Sequence, residues 1–72
     1  MDWNWINTPE SSNIARFAHN PHSLVLRVEF KNGGIYDYFD VPLHVFEGME
    51  RATSRGQYLA REIKGTYRYA RT

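Results

Sequence analysis

Leu24-Val25-Leu26-Arg27-Val28-Glu29-Phe30-Lys31-Asn32-Gly33-Gly34-Ile35-Tyr36-Asp37-Tyr38-Phe39 reads as two strands and a turn. Leu24, Leu26, Val28 and Phe30 alternate with Arg27 and Glu29, the period-two pattern of a strand with one buried face. Asn32-Gly33 accepts the positive φ that a tight hairpin needs, so Ile35 to Phe39 returns antiparallel. Assigning Ile35 and Phe39 to the core predicts Tyr36 and Tyr38 on the outer face of that return strand. Upstream, Ile14 to Ala18 predicts a first strand, and His19-Asn20-Pro21-His22 a turn with Pro21 presetting the backbone. Residues 1–12 read as irregular, ending in the loop-forming cluster Asn7 to Ser12.

Downstream, Val41-Pro42 ends the sheet and opens a helix, proline being tolerated in a first turn. Val45, Phe46, Met49 and Ala52 keep helical spacing, with Glu47 and Arg51 four apart outside. Ser54 followed by Gln57 reads as a capping box, predicting a second helix from about Arg55 to Lys64 that stops at Gly65. On it Leu59 and Ile63 face inward, Arg61 and Lys64 outward, and Tyr58 lies off the inner stripe. Tyr67-Arg68-Tyr69 alternates like a short closing strand. The expected class is α+β: a three-stranded antiparallel meander against two short helices, with a short C-terminal strand.

Seventy-two residues support one small core, and cysteine is absent, so disulfides cannot brace it. Oligomerisation is the remaining inexpensive support. No run approaches the roughly 20 apolar residues of a membrane span, and Met1-Asp2-Trp3 lacks a signal peptide's pattern. A cytoplasmic location is therefore expected. Residues 51–72 hold six arginines and lysines against Glu62 alone, a net +5, whereas residues 1–50 hold three against seven carboxylates, a net −4. Tyr58, Tyr67 and Tyr69 stand among those basic side chains. Guanidinium groups suit phosphate oxygens, and tyrosine rings offer flat faces to a base.

The ordered set Ser11-Ser12-Asn13-Ile14, Leu24, Val28, Phe30, Gly34, Tyr36-Asp37-Tyr38, Val41-Pro42, Ala52-Thr53-Ser54-Arg55-Gly56-Gln57-Tyr58 and Ile63-Lys64 resembles the KTSC domain. That family is named for its place at the C-terminus of some lysyl-tRNA synthetases, and also occurs as free-standing small proteins of bacteria and their phages. The resemblance covers about residues 11–69. It implies a single domain over 11–72, preceded by an N-terminal extension, residues 1–10, that carries Trp3 and Trp5. Family members often have asparagine where Ala60 stands, so any role of that amide is absent here. The resemblance implies RNA binding only by association with a synthetase, not by mechanism.

The candidate residues divide into three groups. Tyr36 and Tyr38 would stack on a base, pack against a second subunit, or simply cover the sheet. Ser54, Arg55 and Gly56 open a helix, whose unsatisfied N–H groups suit a phosphate; plain capping is the alternative. Arg61, Lys64, Arg68 and Arg71 with Tyr58, Tyr67 and Tyr69 would form a basic aromatic stripe, or a solvated face balanced by the acidic first half. His19 and His22 flank a turn without the three or four ligands a metal site needs. Asp37 and Asp40 have no partner that marks them as catalytic, and no serine has an assignable histidine. The sequence thus predicts a non-catalytic domain, without cofactor or metal, that binds a phosphate-bearing ligand. A small nucleotide held between subunits of a homo-oligomer, or RNA, would fill that role. The competing expectation is a protein-interaction module using Trp3, Trp5, Tyr36 and Tyr38.

Overall fold

The computed structural model describes residues 3–72; Met1 and Asp2 of the expected extension 1–10 lie outside the described residues. Five strands form one antiparallel sheet in chain order: β1 (Ile6–Asn7), β2 (Ile14–Asn20), β3 (Val25–Phe30), β4 (Ile35–Tyr38) and β5 (Tyr69–Arg71). Between β4 and β5 run helix α1 (Leu43–Arg51), helix α2 (Arg55–Tyr58) and a π-helical stretch, Leu59–Ile63. The α+β class is as expected, but the meander has five strands, not three. The predicted closing strand lies two residues later and pairs with β4, matching Tyr36 with Arg71 and Tyr38 with Tyr69. At the other edge Ile6 and Asn7, expected to be irregular, pair with Phe17 and Arg16.

The hairpin explains the arrangement of faces. Gly33 takes φ +96° and Asn32 Oδ1 accepts the Gly34 N–H at 2.9 Å, setting Glu29 opposite Ile35. That register places Tyr38 across from Leu26 and Tyr36 across from Val28. Cross-strand partners share a face, and Leu26 and Val28 are fully buried. The two tyrosines therefore belong to the inner, helix-covered face, correcting the outward placement. Tyr38 is buried in the core with Ile14, Phe17, Leu26, Val28, Val41, Met49, Leu59 and Ile63, and Tyr36 packs against it.

Two further expectations change. Leu24, placed on the inner face of β3, lies in the preceding turn with φ +59° and is exposed; its N–H reaches Asn20 and its carbonyl accepts from Val41. β2 runs on through Ala18 to Asn20, so His19 is buried in the sheet and not in a turn. Its Nε2–H donates to the Val41 carbonyl (2.7 Å) and its ring stacks on Phe46. A bulge between Ile14 and Arg16 lets both Ile14 and Phe17 point inward.

The outer face carries charge. Arg16 pairs with Glu29 (2.7 Å), and Arg27 meets Asp37 through two bonds of 2.7 and 2.9 Å. The hydrogen bond to Asp37 holds the Arg27 guanidinium above its ordinary pKa, against the opposing effect of burial. Trp5 lies 4.0 Å from Arg16 and Trp3 lies 4.7 Å from Arg27, so the tryptophans cover these ion pairs and stay out of the core. Each cation–π contact of this kind contributes about 0.5–1 kcal/mol.

Candidate functional site

Where β4 and β5 meet the end of the π-helical stretch, the inner face opens into a groove of about 400 Å³. Phe30, Asn32, Tyr36, Tyr38, Lys64 and Tyr69 line it. The strand register brings the three tyrosines together. Tyr69 stands 5.9 Å from Tyr36 and 5.8 Å from Tyr38, with tilted rings, and Phe30 meets Tyr36 edge-on at 5.6 Å. Burial, and then the neighbouring Tyr36 and Tyr69, push the Tyr38 phenol above its ordinary pKa. Tyr69 remains 60% exposed, so one broad ring face is open to an incoming group.

Two cations border these rings. Lys64 Nζ lies 5.4 Å from the centre of Phe30, and the Arg71 guanidinium lies 5.8 Å from that of Tyr36. Among the described residues neither is bound to a carboxylate. Gly34 lies beside Tyr36 and Arg71: a Cβ there would make ordinary contact with the Tyr36 ring (3.4 Å) and Arg71 Nη2 (3.6 Å), and a tighter one with Asn32 Oδ1 (3.3 Å). The π-helical turn, closed by Lys64 N–H to the Leu59 carbonyl at 2.9 Å, buries both Leu59 and Ile63 while Lys64 stays exposed. Flat hydrocarbon faces with positive charges at their margin are what a base and its phosphate require.

The other predicted residues lie elsewhere. Ser54, Arg55 and Gly56 border a second hollow, with Glu10, Ser11, Ser12 and Asn13. Its polar groups are largely occupied by the fold. Ser54 Oγ accepts the Gln57 N–H, and Ser11 Oγ accepts from Asn13 and Ile14 and donates to Asn13 Oδ1. Arg55 donates to Glu10 (3.1 Å), to the Glu50 carbonyl (2.8 Å) and weakly to the Asn7 carbonyl. Gly56 is tied to this loop by packing, since a Cβ would meet Asn13 Oδ1 at 3.0 Å.

Tyr58 and Arg61 border a third hollow with Gly48 and Arg51. The Tyr58 hydroxyl donates to the Val45 carbonyl at 3.0 Å, and burial leads the effects that raise its pKa. Arg61 pairs with its neighbour Glu62, and Arg68 with Asp40, both on the surface. Tyr67 is half-buried against the core. The expected continuous stripe is thus divided: Lys64, Tyr69 and Arg71 join Tyr36 and Tyr38, while Tyr58, Arg61, Tyr67 and Arg68 do not line that groove. Phe30 and Asn32 belong to it although the sequence assigned them to core and turn. Their place at the hairpin, with Phe30 diagonal to Tyr36 across the two strands, was the available signal.

The solved structure of a KTSC domain protein from Yersinia pestis superposes with a TM-score of 0.91 over 99% of both chains at 24% identity, showing the same fold. A lysine–tRNA ligase of Nostoc sp. is 44% identical over 61 residues, 85% of this chain but 11% of the ligase. A second, from Trichormus variabilis, is 41% identical over the same shares. The chain therefore spans about a ninth of these curated relatives. An uncharacterized protein of Stutzerimonas stutzeri is 33% identical over 86% of this chain and 89% of its own length. The KTSC domain matches residues 10–67, and by that match the chain belongs to the KTSC domain family.

Proposed function

We propose that this domain is a non-catalytic binding module for a nucleotide unit, either free or within single-stranded RNA. The observation that carries the reading is the groove of Tyr36, Tyr38, Tyr69 and Phe30 with Lys64 and Arg71 at its margin. Its volume of about 400 Å³ lies in the range of small-molecule sites. Base stacking on an open tyrosine contributes about 1–3 kcal/mol and tolerates any base. Its lining of three tyrosines, Phe30, Asn32 and Lys64 supplies ring faces and a cation, the groups that stack a base and hold a phosphate. The similarity to proteins named as lysine–tRNA ligases favours RNA as the source of the nucleotide.

The test is binding of labelled single-stranded oligonucleotides and of mononucleotides across a salt series. Two phosphate contacts predict a log–log slope of about −1.4, or roughly a sevenfold loss of affinity between about 50 and 200 mM salt. Lys64→Glu with Arg71→Glu should remove binding and the slope together. Tight binding only by mononucleotides would identify a free-nucleotide binder. Binding that ignores salt and survives the double charge reversal would sink the reading, and would favour a protein partner on the aromatic surface.

A further inference from the structure

We infer that β5 is a homotypic pairing edge, joining two copies of this chain about a two-fold axis at Ala70. The argument starts from hydrogen-bond parity. Phe39 N–H donates to the Arg68 carbonyl and Thr72 N–H to the Ile35 carbonyl, both at 2.9 Å. In an antiparallel ladder such bonded pairs alternate with unbonded ones, so Asp37 and Ala70 form the bonded pair between them. The backbone groups of Ala70 thus face β4. Those of Tyr69 and Arg71 face away, at the end of the sheet where β5 has no further neighbour among the described residues. All three residues of β5 are exposed.

Only one homotypic antiparallel register uses every outward group of Tyr69 and Arg71. It sets Ala70 against its own copy, and Tyr69 against the partner's Arg71 in a bonded pair, twice by symmetry. A shift centring Tyr69 or Arg71 on the axis would set like residues together and leave outward groups of β5 to residues outside it. In the Ala70 register each guanidinium meets a tyrosine and not its own copy, a favourable cation–π pairing. Tyr69 and Arg71 point to the inner face, as their partners Tyr38 and Tyr36 do. The two-fold therefore sets both grooves side by side on one surface, and each copy contributes Arg71 beside the other's Tyr69. The pairing is isologous, so it closes at two copies.

The chain has no cysteine, which allows a clean test. Across the axis Ala70 forms an unbonded pair, with Cα atoms about 4.5 Å apart, within the range a disulfide spans. Under mild oxidation Ala70→Cys should crosslink to dimer at least about tenfold faster than the exposed control Thr66→Cys, because pairing raises the effective concentration. Adding Arg71→Pro removes one outward N–H while sparing the ladder to β4, and should return the rate to the control's. The unmodified chain should show a concentration-dependent rise toward twice its mass in sedimentation. Equal rates for Ala70→Cys and Thr66→Cys would overturn the inference. So would a strictly monomeric chain at the highest attainable concentration, or a dimer whose Ala70→Cys crosslinking Arg71→Pro leaves unchanged. No ligand enters these measurements, so their failure leaves the nucleotide reading standing, and the reverse also holds.

Discussion

Gly48, within α1, is a position where helix propensity and packing predict opposite signs. Taken alone, Gly48→Ala in a helix interior should stabilise by about 0.8–1 kcal/mol. The Tyr58 ring, however, occupies the space: a Cβ on Gly48 would press against the Tyr58 hydroxyl and lie 3.0 Å from Cζ. Displacing that ring breaks its hydrogen bond to the Val45 carbonyl, worth about 0.5–1.5 kcal/mol. Forced repacking adds about 1–3 kcal/mol. The packing side wins, and the expected net loss is about 2 kcal/mol. For a domain this small each kcal/mol moves the melting point by about 4–8 °C, so Gly48→Ala should melt roughly 8–16 °C lower. Thermal and urea unfolding followed by circular dichroism would measure it in a cycle with Tyr58→Phe. Removing the hydroxyl relieves the nearest contact, so Gly48→Ala should cost at least about 1 kcal/mol less in the Tyr58→Phe background. A higher melting point for Gly48→Ala, or the same cost in both backgrounds, would refute the reasoning. The expected result would establish Tyr58 as a wedge between helices and remove it from the stacking residues.

Tyr69→Ala, which gives up ring contacts with Tyr36 and Tyr38, should cost about 0.5–1.5 kcal/mol of stability and weaken nucleotide or RNA binding to the folded protein by about 1–3 kcal/mol; isothermal titration well below the melting point, beside a melting curve, separates the two. Arg55→Ala should affect stability alone: its contacts to Glu10 and the Glu50 carbonyl predict a loss of about 2 kcal/mol in urea unfolding, with affinity of the folded protein unchanged. Stability should also fall as pH rises above about 10, where the unfolded tyrosine ionises. The folded Tyr38 phenol, raised mainly by burial, keeps its proton longer, so its contribution is complete below pH 10 and is lost as pH rises through the folded value. Urea midpoints that stay constant from pH 9 to about 11 would contradict this.

The alternation at Leu26, Val28 and Glu29, the Asn32-Gly33 turn, the Val45, Phe46 and Met49 spacing and the Ser54 cap are local, and each is legible because period, turn chemistry and capping act within a few residues. They determined an antiparallel sheet with two helices, and the ordered residues from Ser11 to Lys64 carried the family resemblance. Charge counting placed Lys64, Tyr69 and Arg71 among the candidates. It also included Arg55, Arg61 and Arg68, because net charge does not reveal which cation already has a carboxylate or carbonyl partner.

What tertiary structure alone decided is the phase of β4 and the closure of β5. In Ile35-Tyr36-Asp37-Tyr38-Phe39 one face offers two large apolar side chains, Ile35 and Phe39, together with the charged Asp37, and the other offers two tyrosines, so local composition is balanced between the two phases. The register across the hairpin settled it by placing Tyr36 and Tyr38 beside the buried Val28 and Leu26. The groove then needed β5 to return beside β4, joining Tyr36 to Tyr69 and Arg71 across more than thirty residues of chain. Such pairing follows from satisfying backbone hydrogen bonds along a free strand edge, and sequence periodicity carries no record of which edge a distant segment will meet.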